Sequence, residues 1–189
     1  MPLMRRAALV LLASLGTLAL AGCVPSAPTI IPTPVHSTAA PPFATEEDAL
    51  AAATMTISEF YRVATTVLVE GGVGGDRLSE FATSAVVEHE KTGFDKLRDE
   101  QLVYRGETAI RSVVLQSYIP EAVDGVGVIT AYVCTDGAAV TIFYPSGESY
   151  VSADRPNGVP FEIRFDLTTT NDTSLLVSSK LYWDGDGIC

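Results

Sequence analysis

Glu88-His89-Glu90-Lys91 sets a histidine between two carboxylates, the raw material of a metal site or an acid–base pair. A zinc protease would need a second histidine one turn on, and Thr92-Gly93-Phe94 supplies none. Neighbouring residues on a helix point in different directions, so Glu88 and Glu90 do not converge on His89, which reads as a histidine at a helix boundary. Asp184-Gly185-Asp186-Gly187 has the opening of a calcium loop but lacks the bidentate acid that closes one. Gly71-Gly72-Val73-Gly74-Gly75 follows a helical pattern and continues Asp76-Arg77, whereas a phosphate loop follows a strand and ends Lys-Ser or Lys-Thr. No Gly-x-Ser-x-Gly elbow occurs, and Pro145-Ser146-Gly147 is turn chemistry with no histidine nearby. Isomerase chemistry would need a carboxylate base and a tyrosine donor facing a dry pocket; Tyr104, Tyr118, Tyr132, Tyr182 and Asp166 are available, and no pattern selects among them. The sequence therefore nominates no catalytic residue, no metal ligand and no cofactor.

The clearest chemistry lies at the N-terminus. Arg5-Arg6 forms a short basic region, and Ala7 to Ala21 is an uncharged, mostly apolar run. That run falls short of the ~20 residues an apolar helix needs to span a bilayer, so it reads as the core of a signal peptide, residues 1–22. It ends in Leu20-Ala21-Gly22-Cys23, which resembles the lipobox of bacterial lipoproteins. The resemblance implies diacylglycerol on the Cys23 thiol, cleavage before it, and a location on the outer face of the cell membrane. Two acyl chains hold a protein stably where one does not.

Loss of the signal removes Arg5 and Arg6 and no acid, so 10 basic residues face 23 acidic ones, a formal −13. Such a surface repels phosphate backbones and anionic headgroups. Nucleic acid is excluded as a partner, and contact with the membrane is left to the lipid. With Cys23 acylated, Cys134 and Cys189 remain. An exported domain with two spare cysteines usually pairs them. The alternatives are free thiols or a metal site, and for zinc the histidines are too few, His36 lying in the tether and His89 alone in the domain.

Residues 23–43 read as a lipidated, proline-rich tether, semi-rigid because proline fixes φ and donates no amide. One domain follows, residues 44–189. Thr45-Glu46-Glu47-Asp48 forms a helix start, with a hydroxyl to cap and acids in the first turn. Leu50, Ala53, Ile57, Phe60, Tyr61, Ala64, Val67 and Leu68 recur at spacings of three and four, an apolar stripe that the glycine run ends. Asp76 can cap a second helix with the stripe Leu78, Phe81, Ala82, Ala85, Val86 and His89, broken at Gly93, and 94–101 suggests a short third. Asp95/Arg98 and Lys96/Glu100 mark a solvated face. From there the pattern turns to strands at 108–118, 127–135, 138–144, 160–169 and 175–183, separated by turn residues. In Phe161-Glu162-Ile163-Arg164-Phe165-Asp166-Leu167 one face is apolar and the other charged, as in an antiparallel sheet with one wet side. The fold class is α+β, N-terminal helices packed on a curved antiparallel sheet.

That element order, with a cysteine in a middle strand and another at the C-terminus, resembles the nuclear-transport-factor-2-like domains that small exported lipoproteins carry. The resemblance implies a conical sheet around a pocket, catalytic in some members and a binding surface in others, so the fold alone does not decide. The expectation is a non-catalytic, tethered module of the cell envelope that binds an envelope protein or a small apolar ligand. The alternative is a small pocket enzyme of the isomerase or dehydratase type, recognisable by an open pocket holding a buried carboxylate within hydrogen-bond reach of a tyrosine.

Overall fold

The computed structural model describes residues 40–169 and 172–189. The signal peptide, Cys23 and all but the last residues of the tether lie outside them. Helix α1 spans Glu46–Val69, and Thr45 Oγ1 accepts the Asp48 amide as the N-cap. Its buried stripe is Ala49, Ala53, Ile57, Phe60, Val63, Ala64 and Val67. The chain leaves α1 through glycines because Gly72 must run against α2: a Cβ there would stand 2.3 Å from the Phe94 carbonyl oxygen, at φ +81°.

A 3-10 turn, Gly75–Glu80, precedes α2, Ser84–Asp99. Here three expectations fail. Asp76 lies within the 3-10 turn and does not cap α2, whose N-cap is Thr83. Gly93 does not end the helix, and 94–101 is not a separate one. Gly93 lies on the exposed side and costs about 1 kcal/mol relative to alanine. Burial of Phe94 and Leu97 on the face that already carries Val86 and Val87 outweighs that cost. His89 is consequently mid-helix and exposed, not at a boundary, and Ala85 is exposed too.

The strands are β1 Val103–Arg105, β2 Ala109–Tyr118, β3 Ile129–Asp136, β4 Thr141–Phe143, β5 Gly158–Leu167 and β6 Leu175–Tyr182. The main sheet is antiparallel in the order β2-β3-β5-β6. The strand expected at 138–144 shrinks to β4 and leaves that sheet, pairing with β1, which the sequence pattern did not announce. Arg155 explains the departure, since its guanidinium donates to the carbonyls of Gly137 and Val140 and holds the chain in a turn. The excursion folds over its own small core of Leu97, Leu102, Tyr104 and Val140.

On the inner face of the sheet, Ile129, Ala131 and Val133 of β3, Ile163 and Phe165 of β5 and Val177 of β6 pack against α1 and α2. The charged side of β5 supports its neighbours: Asp166 Oδ1 accepts the Gly127 amide at 2.8 Å and the Ser178 hydroxyl at 2.6 Å. The boundary between tether and domain moves by at least one residue. Phe43 is buried, and its amide and carbonyl both bond the Tyr118 hydroxyl, at 3.0 and 2.8 Å.

The outer face carries the C-terminal tail. Cys134 and Cys189 are bonded, with S–S 2.12 Å and Cα atoms 5.3 Å apart. Ser112 Oγ donates to the Ile188 carbonyl at 3.1 Å, and Trp183 lies 4.8 Å, centroid to centroid, from Tyr132. Gly158 leaves room for the bridge, since a Cβ there would lie 3.2 Å from Cys189 Sγ. Together these contacts bury Cys134 although it faces away from the core. Cys134→Ser or Cys189→Ser should each destabilise the chain by up to about 4 kcal/mol, from the loop the bridge closes. The double variant should lose little more than either single one, because all three remove one constraint. Urea denaturation decides it; losses that add would show that the cysteines act separately.

Candidate functional site

The polar groups that reach the inner face come from three elements. Lys180 of β6 stands opposite Ile163 and points toward the helices. Glu90 of α2 meets it as an ion pair, with both side chains about six-sevenths buried at 15% and 16% exposure. The Lys180 ammonium also lies 5.6, 5.5 and 5.4 Å from the ring centroids of Phe60, Tyr61 and Phe161. Aromatic faces attract a cation, so the rings return part of the hydration it gives up. The Tyr61 hydroxyl is buried and has no hydrogen-bond partner among the described residues. Burial, with the Glu90 charge adding to it, pushes that hydroxyl far above the ordinary tyrosine range. Burial therefore favours the neutral phenol of Tyr61 over the phenolate.

This arrangement differs from the one an isomerase needs. Its carboxylate is held by a lysine and not by the tyrosine, and the tyrosine oxygen is closed to water. A cleft of ≈ 220 Å³ runs past the ion pair, with His89, Ser178 and Leu181 on its walls. His89 is on that wall alone: Glu88 turns to Lys91 and Glu90 to Lys180. Among the described residues no three His, Cys, Asp or Glu side chains converge as a metal ion would require. Asp184 and Asp186 lie exposed in the C-terminal tail.

Of the other candidate tyrosines Tyr182 is 68% exposed, and three are bound into the fabric. Tyr104 meets the Thr108 hydroxyl at 3.4 Å, Tyr118 holds Phe43, and Tyr132 supports Trp183. The sequence reading brought Cys134 and Cys189 together, but it missed Glu90, Lys180 and Tyr61 as a group. A signal existed for Glu90, which falls at the i+3/i+4 position after Val86 and Val87 and before Phe94, inside the buried stripe of α2.

No family model matches the chain, and no curated protein matches it in sequence. Among solved structures it is similar to the intermembrane space region of the chloroplast protein ARC6, at 9% identity and a TM-score of 0.50, over 71% of this chain and 97% of that one. A designed β-sheet protein is matched at 12% identity and a TM-score of 0.34, over 75% of this chain and 92% of that one. The first likeness concerns the fold, which is α+β in both; the second carries no argument.

Two predictions follow from the buried pair. Lys180→Met should cost on the order of 3–5 kcal/mol by stranding the Glu90 charge, and adding Glu90→Gln should recover most of the loss. A loss under about 1 kcal/mol in the single variant would show that Glu90 is solvated and the pair immaterial. Tyr61→Phe removes a buried hydroxyl that bonds nothing, so it should raise Tm by roughly 2–4 °C. Because the folded state keeps Tyr61 neutral, its contribution is complete below the unfolded tyrosine value near 10 and fades as pH rises beyond it. The phenylalanine variant should lose that alkaline dependence, and a lower Tm would reveal a hidden partner for the hydroxyl.

Proposed function

We propose that the chain is a lipoprotein anchored through Cys23 to the outer face of the cell membrane, and that its domain, of the nuclear-transport-factor-2-like kind, is a non-catalytic binding or interaction module of the envelope. The observation that carries the non-catalytic part is the Glu90–Lys180 pair: the base and the cation a pocket enzyme would use neutralise each other, and the nearest phenol is closed to water. The space between helices and sheet is occupied by Phe60, Ile57, Ile163, Phe165 and Val177, all fully buried. A filled interior favours an outer surface as the working part.

The anchor rests on the basic pair, the apolar run and Leu20-Ala21-Gly22-Cys23. The bonded cysteines support it, because such bridges persist in oxidising compartments. Among the described residues no helix is long and apolar enough to cross a membrane. The acidic surface supports a protein or a neutral apolar molecule as partner over nucleic acid. Metabolic labelling with a radioactive fatty acid tests the anchor. Wild type should carry label and Cys23→Ser none; label retained on the serine variant would overturn the proposal.

A further inference from the structure

A second cleft lies apart from the ion pair, on the side of α1 that the sheet does not cover. It is an open groove of ≈ 480 Å³ between α1, the end of the 3-10 turn and the β5–β6 connection. Ala52, Met55, Phe81 and Leu175 supply its apolar walls, and Glu59 and Glu80 line it with carboxylates. We infer that this groove docks a protein segment whose apolar side chains are flanked by lysine or arginine. The inference deepens the binding-module reading and rests on it for the kind of partner.

Met55 is 71% exposed, the most exposed large apolar side chain of α1. It belongs to a second stripe, Ala52, Met55/Thr56 and Glu59, beside the one buried on the sheet. An unbranched thioether adapts to the side chains it meets, as a peptide groove requires. The groove is also firmly built. Phe43, at its edge, is pinned by both bonds to Tyr118, and Phe81 is fixed by backbone bonds to β6: the Val177 amide donates to the Phe81 carbonyl, and the Thr83 amide donates to the Val177 carbonyl.

Charge selects the occupant. Asp48 lies one turn before Ala52 on the same helix face, and Asp172 stands in the connection beside Thr173 and Ser174. The Thr168 hydroxyl and the Ser174 and Thr173 amides hold the Asp172 carboxyl below the usual range. Arg62 offsets Glu59 through a bond of 2.8 Å, and Glu80 has no cation against it among the described ion pairs. An acidic rim around an apolar floor suits basic residues around an apolar anchor. It opposes anionic headgroups, and it opposes a second copy, which would bring like charge to like. The groove is open, whereas small apolar ligands are normally buried over most of their surface.

The test uses the full chain carrying Cys23→Ser, labelled with carbon-13 in its methionine methyls. There are 3 methionines, and the Met55 signal is the one that Met55→Gln removes. The probe is a capped peptide of about twelve residues, with leucines at i, i+3, i+4 and i+7 and lysines elsewhere. A second peptide replaces each lysine by glutamate. The Met55 methyl should move saturably with the lysine peptide and stay still with the glutamate one. Glu59→Lys combined with Glu80→Lys, which keeps the Met55 methyl as reporter, should weaken binding roughly tenfold or more. Equal affinity in that double variant, or saturable binding of the glutamate peptide, would overturn the inference. Movement of the methyl with phospholipid vesicles alone would assign the groove to the membrane, and movement with protein concentration would assign it to a second copy; either overturns it as well. Since the signal is at Met55 and needs no lipid, failure here with fatty-acid labelling intact removes only the groove. Peptide binding by a chain that takes no label removes only the anchor.

Discussion

The inner face of the β2-β3-β5-β6 sheet is apolar except at Lys180, and α1 is the helix that runs along it and removes it from water. Phe60, Ile57 and Val67 on the helix meet Ile163, Phe165, Val177 and Ile129 on the strands, and every one of these is fully buried. At about 25 cal/mol per Å² of apolar area this contact dominates the favourable side of folding. Other features are arranged around it. The glycines at 71–75 let the chain turn from α1 to α2, and α2 closes the opposite flank. Phe43 and the Tyr118 hydroxyl fix where the helix begins relative to the sheet. The disulfide acts on the other side, holding the tail over strands whose outer residues would otherwise face water.

Within so apolar an interior the one buried charged pair among the described residues is a constraint of a different kind. Lys180 and Glu90 are costly to bury, and their mutual attraction together with three aromatic faces offsets part of that cost. What the pair contributes is registration. It joins α2 to β6 at a defined point, where purely apolar contacts would tolerate sliding.

Much of this was legible in the residues. The cap at Thr45, the stripe of α1, the alternation of Phe161 to Leu167 and the pairing of Cys134 with Cys189 all follow from local pattern and compartment. The α+β class follows from their order. What could not be read depended on partners far away in sequence. Gly93 looks like a helix breaker until Phe94 and Leu97 find a core to enter. Residues 138–144 look like a strand of the main sheet until Arg155 holds the carbonyls of Gly137 and Val140. Lys180 is the most instructive case. Strict alternation from Leu175 and Val177 would send Leu181 inward and Lys180 out. A register shift between β5 and β6, with one extra residue at Ser178, reverses the parity. Lys180 therefore enters the interior, and Leu181 is left 56% exposed. One inserted residue in a ladder made the buried ion pair, and nothing in the strand's own composition announces it.

The interior between α1 and the sheet is filled, and a buried ion pair crosses it. Xenon binds dry apolar cavities that water leaves empty, so a xenon-129 titration of the domain followed by NMR measures this directly. The filled interior predicts only a linear, unsaturable shift with gas pressure and no movement of the Ile163 and Val177 methyl signals. A saturable site that moves those methyls would reveal an open pocket between α1 and the sheet and contradict the account.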